Sequence, residues 1–115
     1  MKLHFKPTRK VTVFLMLIFL LGPRISWAQE DAHIIIKDHR FSTAELTIPA
    51  GQKIKLTIVN QDPTSEEFES YELNREEIID GNETITIFIG PLKAGKYEYF
   101  GEFHKETAQG VIVAQ

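Results

Sequence analysis

Gly95-Lys-Tyr-Glu-Tyr-Phe-Gly101-Glu-Phe-His104-Lys-Glu-Thr-Ala108-Gln-Gly110-Val-Ile-Val113 decides how this chain is read. Two apolar runs, Tyr97 to Phe100 and Gly110 to Val113, flank a polar loop with a glycine at each end, which predicts strand, loop, strand. His104 stands alone in that loop, with Glu102 two residues before it.

Upstream the same grammar repeats. Lys53 to Asn60 alternates polar and apolar residues and is the clearest strand. Thr84 to Ile89 alternates as well, and Phe41 to Ile48 does so loosely, with Phe41, Leu46 and Ile48 apolar. Ile34-Ile35-Ile36 is a β-branched run of the kind buried on both faces of a sheet. Asp38-His39-Arg40, Pro49 to Gln52, Gln61 to Ser65 and Asp80-Gly81-Asn82 supply turn and loop chemistry. Glu66 to Asp80 is rich in glutamate, which favours helix by propensity. The expectation there is a short strand over Phe68 to Leu73 and then an irregular crossing segment, with a helical turn as the alternative. Leu92-x-x-Gly95-x-Tyr97 suits a tyrosine whose hydroxyl bonds back to a loop carbonyl between sheets. The expected fold is all-β, an antiparallel sandwich of about seven strands.

The first 28 residues read as an address. Lys2, Lys6, Arg9 and Lys10 precede an apolar run, Val11 to Leu21, short for a membrane span. Gly22-Pro23 breaks it and Ser26-Trp27-Ala28 presents a cleavage site, so processing is expected after Ala28. Residues 29–115 then form one small domain. Removing residues 1–28 takes five of the 13 basic residues and none of the 16 acidic ones, leaving a net charge of −8. That surface repels nucleic acid and attracts cations or basic partners. The chain has no cysteine, which excludes disulfides, thiolate nucleophiles and iron–sulfur ligation. No nucleophile–base pair, phosphate loop or basic aromatic surface stands out, and an ordinary hydrolase has no support.

The closing stretch resembles the cupredoxins, in which a Gly-x-Tyr-x-Tyr/Phe-x-Cys-x-x-His run and a Met-x-Gly precede the last strand. His104 keeps the histidine position, Gly101 takes the cysteine position and Ala108 the methionine position. Phe41 to Asn60, with Leu46-Thr-Ile-Pro-Ala-Gly-Gln-Lys-Ile-Lys-Leu-Thr-Ile-Val-Asn60, is similar to the family's opening. Glu66-Glu67-Phe68 stands where that family carries a His-x-Phe ligand frame. The resemblance implies a Greek-key β-sandwich. Without the thiolate it implies no type 1 blue copper.

A narrower resemblance lies in Glu66-Glu67-Phe68-Glu69-Ser70 and Gly101-Glu102-Phe103-His104. These runs are similar to the stand-alone cupredoxin-like component of EfeO-type and Ftr-type bacterial iron uptake systems. That likeness implies a periplasmic module working with a periplasmic iron-binding protein and an inner-membrane iron permease. It leaves open whether the chain oxidises Fe(II) or only passes it on. The implied metal ligands are Glu66, Glu67, Glu69, Glu102 and His104, brought together if the loop after Asn60 meets the loop before Gly110. Carboxylates with one imidazole suit iron, manganese or Cu(II) better than Cu(I). Read singly, Glu66, Glu72, Glu76 and Glu77 look like a solvated face, and Asp38-His39 like a plain turn. Arg75 is expected to pair with a nearby acid. The competing reading is a metal-free cupredoxin scaffold kept as a protein-binding module.

Overall fold

The computed structural model describes residues 30–115, together with Lys2, Leu3, His4, Lys6 and Gly22. Apart from those five residues, the expected leader lies outside the described residues. Nine strands follow: β1 Glu30–Lys37, β2 Arg40–Phe41, β3 Glu45–Ile48, β4 Ile54–Asn60, β5 Glu66–Ser70, β6 Arg75–Ile79, β7 Thr84–Ile89, β8 Gly95–Gly101 and β9 Gln109–Ala114. One turn of 3-10 helix, Glu102–His104, lies between β8 and β9. No helix among the described residues is long and apolar enough to cross a membrane.

The strands form two sheets, ordered β2-β1-β4-β7 and β3-β9-β8-β5-β6. Most pairs are antiparallel, but β1 runs parallel to β4 and β3 parallel to β9. The chain changes sheets between Phe41 and Glu45, so the single strand expected over Phe41 to Ile48 is two. That switch and a strand inside the glutamate-rich segment raise the count from about seven to nine.

The segment Glu66 to Asp80 is a hairpin, not a strand followed by irregular chain. Tyr71 to Asn74 makes the turn: the Leu73 amide donates to Ser70 Oγ at 3.2 Å, the Asn74 amide to Tyr71 O at 3.2 Å, and Asn74 takes φ 53°. Asparagine tolerates that left-handed conformation, so the turn closes without glycine. Helix propensity loses here because Phe68 and Ile79, both buried, need the alternation of strands to reach the core.

Inward residues of both sheets meet in one core. Ile34, Ile36, Ile54, Leu56 and Ile58 come from one sheet, and Phe68, Ile79, Tyr99 and Ile112 from the other, all nearly or fully buried. Ile35 is only partly buried, so β1 has one buried face rather than two. Phe41 stands edge-on to Tyr99, ring centroids 4.9 Å apart, and Phe68 lies 5.1 Å from the same ring. Tyr99 donates its hydroxyl to Thr43 O at 2.8 Å, satisfying its polar end. A Cβ on Gly110 would lie 2.2 Å from that ring, so only glycine lets β9 pass it. Tyr97 donates to Lys93 O at 2.7 Å, the bond back to the preceding loop that its spacing predicts.

Candidate functional site

The pole of the sandwich is built on Asn60. Its side-chain amide donates to Thr64 O, Ile79 O and Asp80 O at 2.9 to 3.2 Å, while its Oδ1 accepts the Asp62 amide at 3.0 Å. These bonds tie the loop after β4 to the end of β6. They also aim Asp62 at the turn after β1, where its two oxygens accept the Asp38 and His39 amides at 2.8 and 3.0 Å. Burial pushes the Asp62 carboxyl up, but the two amides outweigh it and leave it below the usual range. Asp38 and His39 both take positive φ, 53° and 58°, so the expected turn is present and held from outside.

From this pole β5 emerges with five residues alternating in direction. Phe68 points into the core, so Glu66 and Ser70 point inward and Glu67 and Glu69 outward. The five sequence-derived ligands therefore fall into two groups on opposite sides of one sheet.

Glu66 belongs to the inner group. It is 2% exposed, which corrects its reading as a surface residue. Its Oε1 accepts the amides of Glu67 and Phe103, each at 3.0 Å, and its Oε2 meets His104 Nδ1 at 2.5 Å. The loop after Asn60 and the loop before Gly110 do meet, and the acid that faces the imidazole is Glu66. Gly101 and Ala108 close the site: a Cβ on Gly101 would lie 2.6 Å from Ala108 Cβ and 2.7 Å from Glu66 Cδ. A cysteine cannot stand at Gly101 while Glu66 holds this position. With no thiolate and a methyl at the methionine position, the residues do not fit type 1 copper.

Glu67, Glu69 and Glu102 belong to the outer group, joined by Glu76, which the sequence reading left on a solvated face. One carboxylate oxygen from each of Glu67, Glu69 and Glu76 lies within 4.8 Å of the others. Register explains the company, since Glu69 stands directly opposite Glu76 across the hairpin. Glu102 reaches the group because Glu102–His104 is a 3-10 turn. At three residues per turn, positions two apart diverge, so Glu102 and His104 do not share a direction as they would on a strand.

The outer group is electrostatically frustrated. Glu67 is buried, and its contact with the Glu76 carboxyl, followed by burial and the charges of Glu76, Glu69 and Glu102, pushes it up to about 7. Burial first, then Glu102, raises Glu69 too. One cation borders the group: Lys105 Nζ lies 3.2 Å from Glu102 Oε2, and that contact raises the lysine. Arg75 is engaged elsewhere, with Glu77 at 3.5 Å and with Phe88 O.

Several known proteins are similar to this chain. A family profile described as Cupredoxin-like domain matches residues 10–114. An uncharacterized protein of Rickettsia prowazekii strain Madrid E is 51% identical over 83 residues, covering 72% of this chain. The chain spans 66% of that relative's length. Auracyanin A, a "blue" copper protein of Chloroflexus aurantiacus, superposes with a TM-score of 0.64 at 18% identity, covering 74% of this chain and 98% of that one. Amicyanin of Paracoccus versutus gives 0.60 at 20% identity, over 74% and 81% of the two chains. A purple cupredoxin of Nitrosopumilus maritimus gives 0.57 at 21% identity, over 74% and 100%.

Proposed function

This chain belongs to the cupredoxin-like domain family, and on that premise we propose that it is a periplasmic metal-binding component of a ferrous iron transport system. Iron is its cargo, taken from a periplasmic iron-binding protein and passed towards an inner-membrane iron permease. The observation that carries this reading is the convergence of Glu67, Glu69 and Glu76 within 4.8 Å on the outer face of the sheet. A cation relieves the repulsion that holds Glu67 up to about 7, so binding is strongest where the carboxylates are free of protons. Oxygen donors suit iron and manganese. The Glu-Glu-Phe-Glu-Ser and Gly-Glu-Phe-His runs, through their likeness to iron uptake components, support iron as the ion. Export through the leader and the acidic surface agree with work outside the inner membrane.

A second reading has its own observation. Glu66 and His104 are paired with each other, and the Glu66 carboxyl packs against Gly101, the position that the resemblance gives to the copper thiolate, which favours a metal-free scaffold that binds a protein partner. Anaerobic calorimetry with Fe(II), and with Mn(II) as a redox-stable probe, separates the two. The expected result is one equivalent bound, lost in Glu67→Gln and in Glu69→Gln and kept in His104→Ala. Absence of binding for both ions would leave the scaffold reading standing.

A further inference from the structure

The cation that borders the outer carboxylates stands between two alternatives. Glu67 is 6% exposed, turns an oxygen towards Glu69 and Glu76, and enters none of the ion pairs among the described residues. The side chains that bear on it are acids: Glu76, Glu69 and Glu102. Lys105, the residue that closes the 3-10 turn, brings its ammonium to 3.2 Å from Glu102 Oε2. That oxygen is buried yet has no hydrogen bond, so the contact is charge against charge, off the hydrogen-bonding direction. The lysine side chain is exposed, and an ion pair of this kind is loosely held.

The other alternative lies over Phe100, the cross-strand neighbour of Glu69. Lys105 Nζ is 5.6 Å from the centre of the Phe100 ring, within reach of a cation–π contact. Tyr71 stands edge-on to the same ring, centroids 5.3 Å apart. Tyr71, Phe100 and Lys105 line an open depression of about 720 Å³ whose wall includes none of the clustered carboxylates. Once its ammonium leaves Glu102, the lysine has a groove to lie in and aromatic rings to pack its methylenes.

We infer that Lys105 is a tethered counter-ion of the carboxylate cluster, displaced by the divalent cation and lodged over Phe100 while that cation is bound. This role rests on the reading of the cluster as a cation site and concerns release rather than capture. An ammonium on a four-carbon stem competes for the carboxylates at high effective concentration whenever the ion loosens. It lowers affinity and favours transfer to a partner over storage.

Calorimetric titration with Mn(II), a redox-stable probe, tests this on the wild type and its variants. Lys105→Met, which keeps a long stem and removes the charge, should bind Mn(II) about five- to tenfold more tightly than the wild type. Lys96→Met removes an exposed charge at the far end of β8 and should change affinity little, which separates competition at the cluster from a general gain in negative charge. Lys105→Arg keeps the charge and should bind no more tightly than the wild type. Phe100→Leu removes the alternative seat and should weaken binding about two- to fivefold. In the Lys105→Met background the same change should have no effect, because nothing is left to be seated. Equal or weaker binding by Lys105→Met, with the wild type still binding, overturns the role of Lys105 and leaves the cation site standing. Mn(II) bound by neither protein overturns both.

Discussion

Glu66 and Glu67 follow one another on β5, and the pleat sends them to opposite sides of the five-stranded sheet. Inside, Glu66 has two backbone amides and an imidazole for its two oxygens. Outside, Glu67 is also buried, yet its nearest polar company is Glu76, Glu69 and Glu102. Burial is similar; neutralisation is not. A buried carboxylate with donors on each oxygen is a structural tie, whereas one hemmed in by other carboxylates has an unmet demand for positive charge. The strand thus separates a carboxylate whose charge is met from one whose charge is not.

The sharpest way to break this contrast is to remove the inner acid. Glu66→Ala strands two amides and leaves His104 without its partner. Breaking a buried pair in this way should cost about 3 kcal/mol, a fall of roughly 15 °C in Tm for a domain of this size. Thermal melts of Glu66→Ala and Glu67→Ala should therefore differ widely, with Glu67→Ala little changed or stabilised because it removes a repelling charge. Equal losses would mean that the two acids play the same structural part.

A smaller effect tests how tightly the inner site is closed. Gly101→Ala places a methyl within 2.8 Å of both Ala108 Cβ and the Glu66 carboxyl. Overpacking of that kind should cost about 2 kcal/mol. In a Glu66→Ala background the penalty should shrink, because one of the two obstructing groups is gone, and denaturant unfolding of the four proteins in the cycle measures that coupling. Additive losses would show that Glu66 and Gly101 do not compete for one space.

Much of this was legible in the residues, and the misses have physical causes. The alternation of Lys53 to Asn60 and of Thr84 to Ile89 marked β4 and β7 because each has one buried face. The meeting of the two polar loops followed from the cupredoxin likeness. The hairpin β5–β6 was hidden because its run of glutamates favours helix in isolation, a propensity that counts for less than the burial of Phe68 and Ile79. Missing that hairpin also hid Glu76, whose only signal is its register opposite Glu69. The division of the ligands was legible for Glu66 and Glu67 by simple alternation, but not for Glu102 and His104. Their spacing fits a strand, and a three-residue 3-10 turn leaves no mark in so short a run. His39, with Asp38, read as a plain turn or a weak second site; its contact with His104 was not legible, since it depends on Asp62 reaching across from another loop.

The finest distinction between the two acids lies in pH. Glu67 is held up to about 7 in the folded protein, above the ordinary 4.5 of a glutamate. Between those values the folded state binds a proton that the unfolded state releases, so the native protein gains stability as pH falls through this window and loses it as pH rises. Above about 7 both states are deprotonated at this position and the full cost of the crowded charge is felt; below 4.5 both are protonated and the effect vanishes. Melting temperatures from pH 8 to pH 5 should therefore rise more for the wild type than for Glu67→Gln. Taking the difference between the two proteins removes the contributions of the histidines, which are common to both. Mn(II) at pH 8 should raise the melting temperature of the wild type and not that of the variant, because the ion supplies the charge that the proton supplies at lower pH. Parallel pH profiles with no response to Mn(II) would mean that the outer carboxylates are relaxed by solvent and carry no demand for a cation.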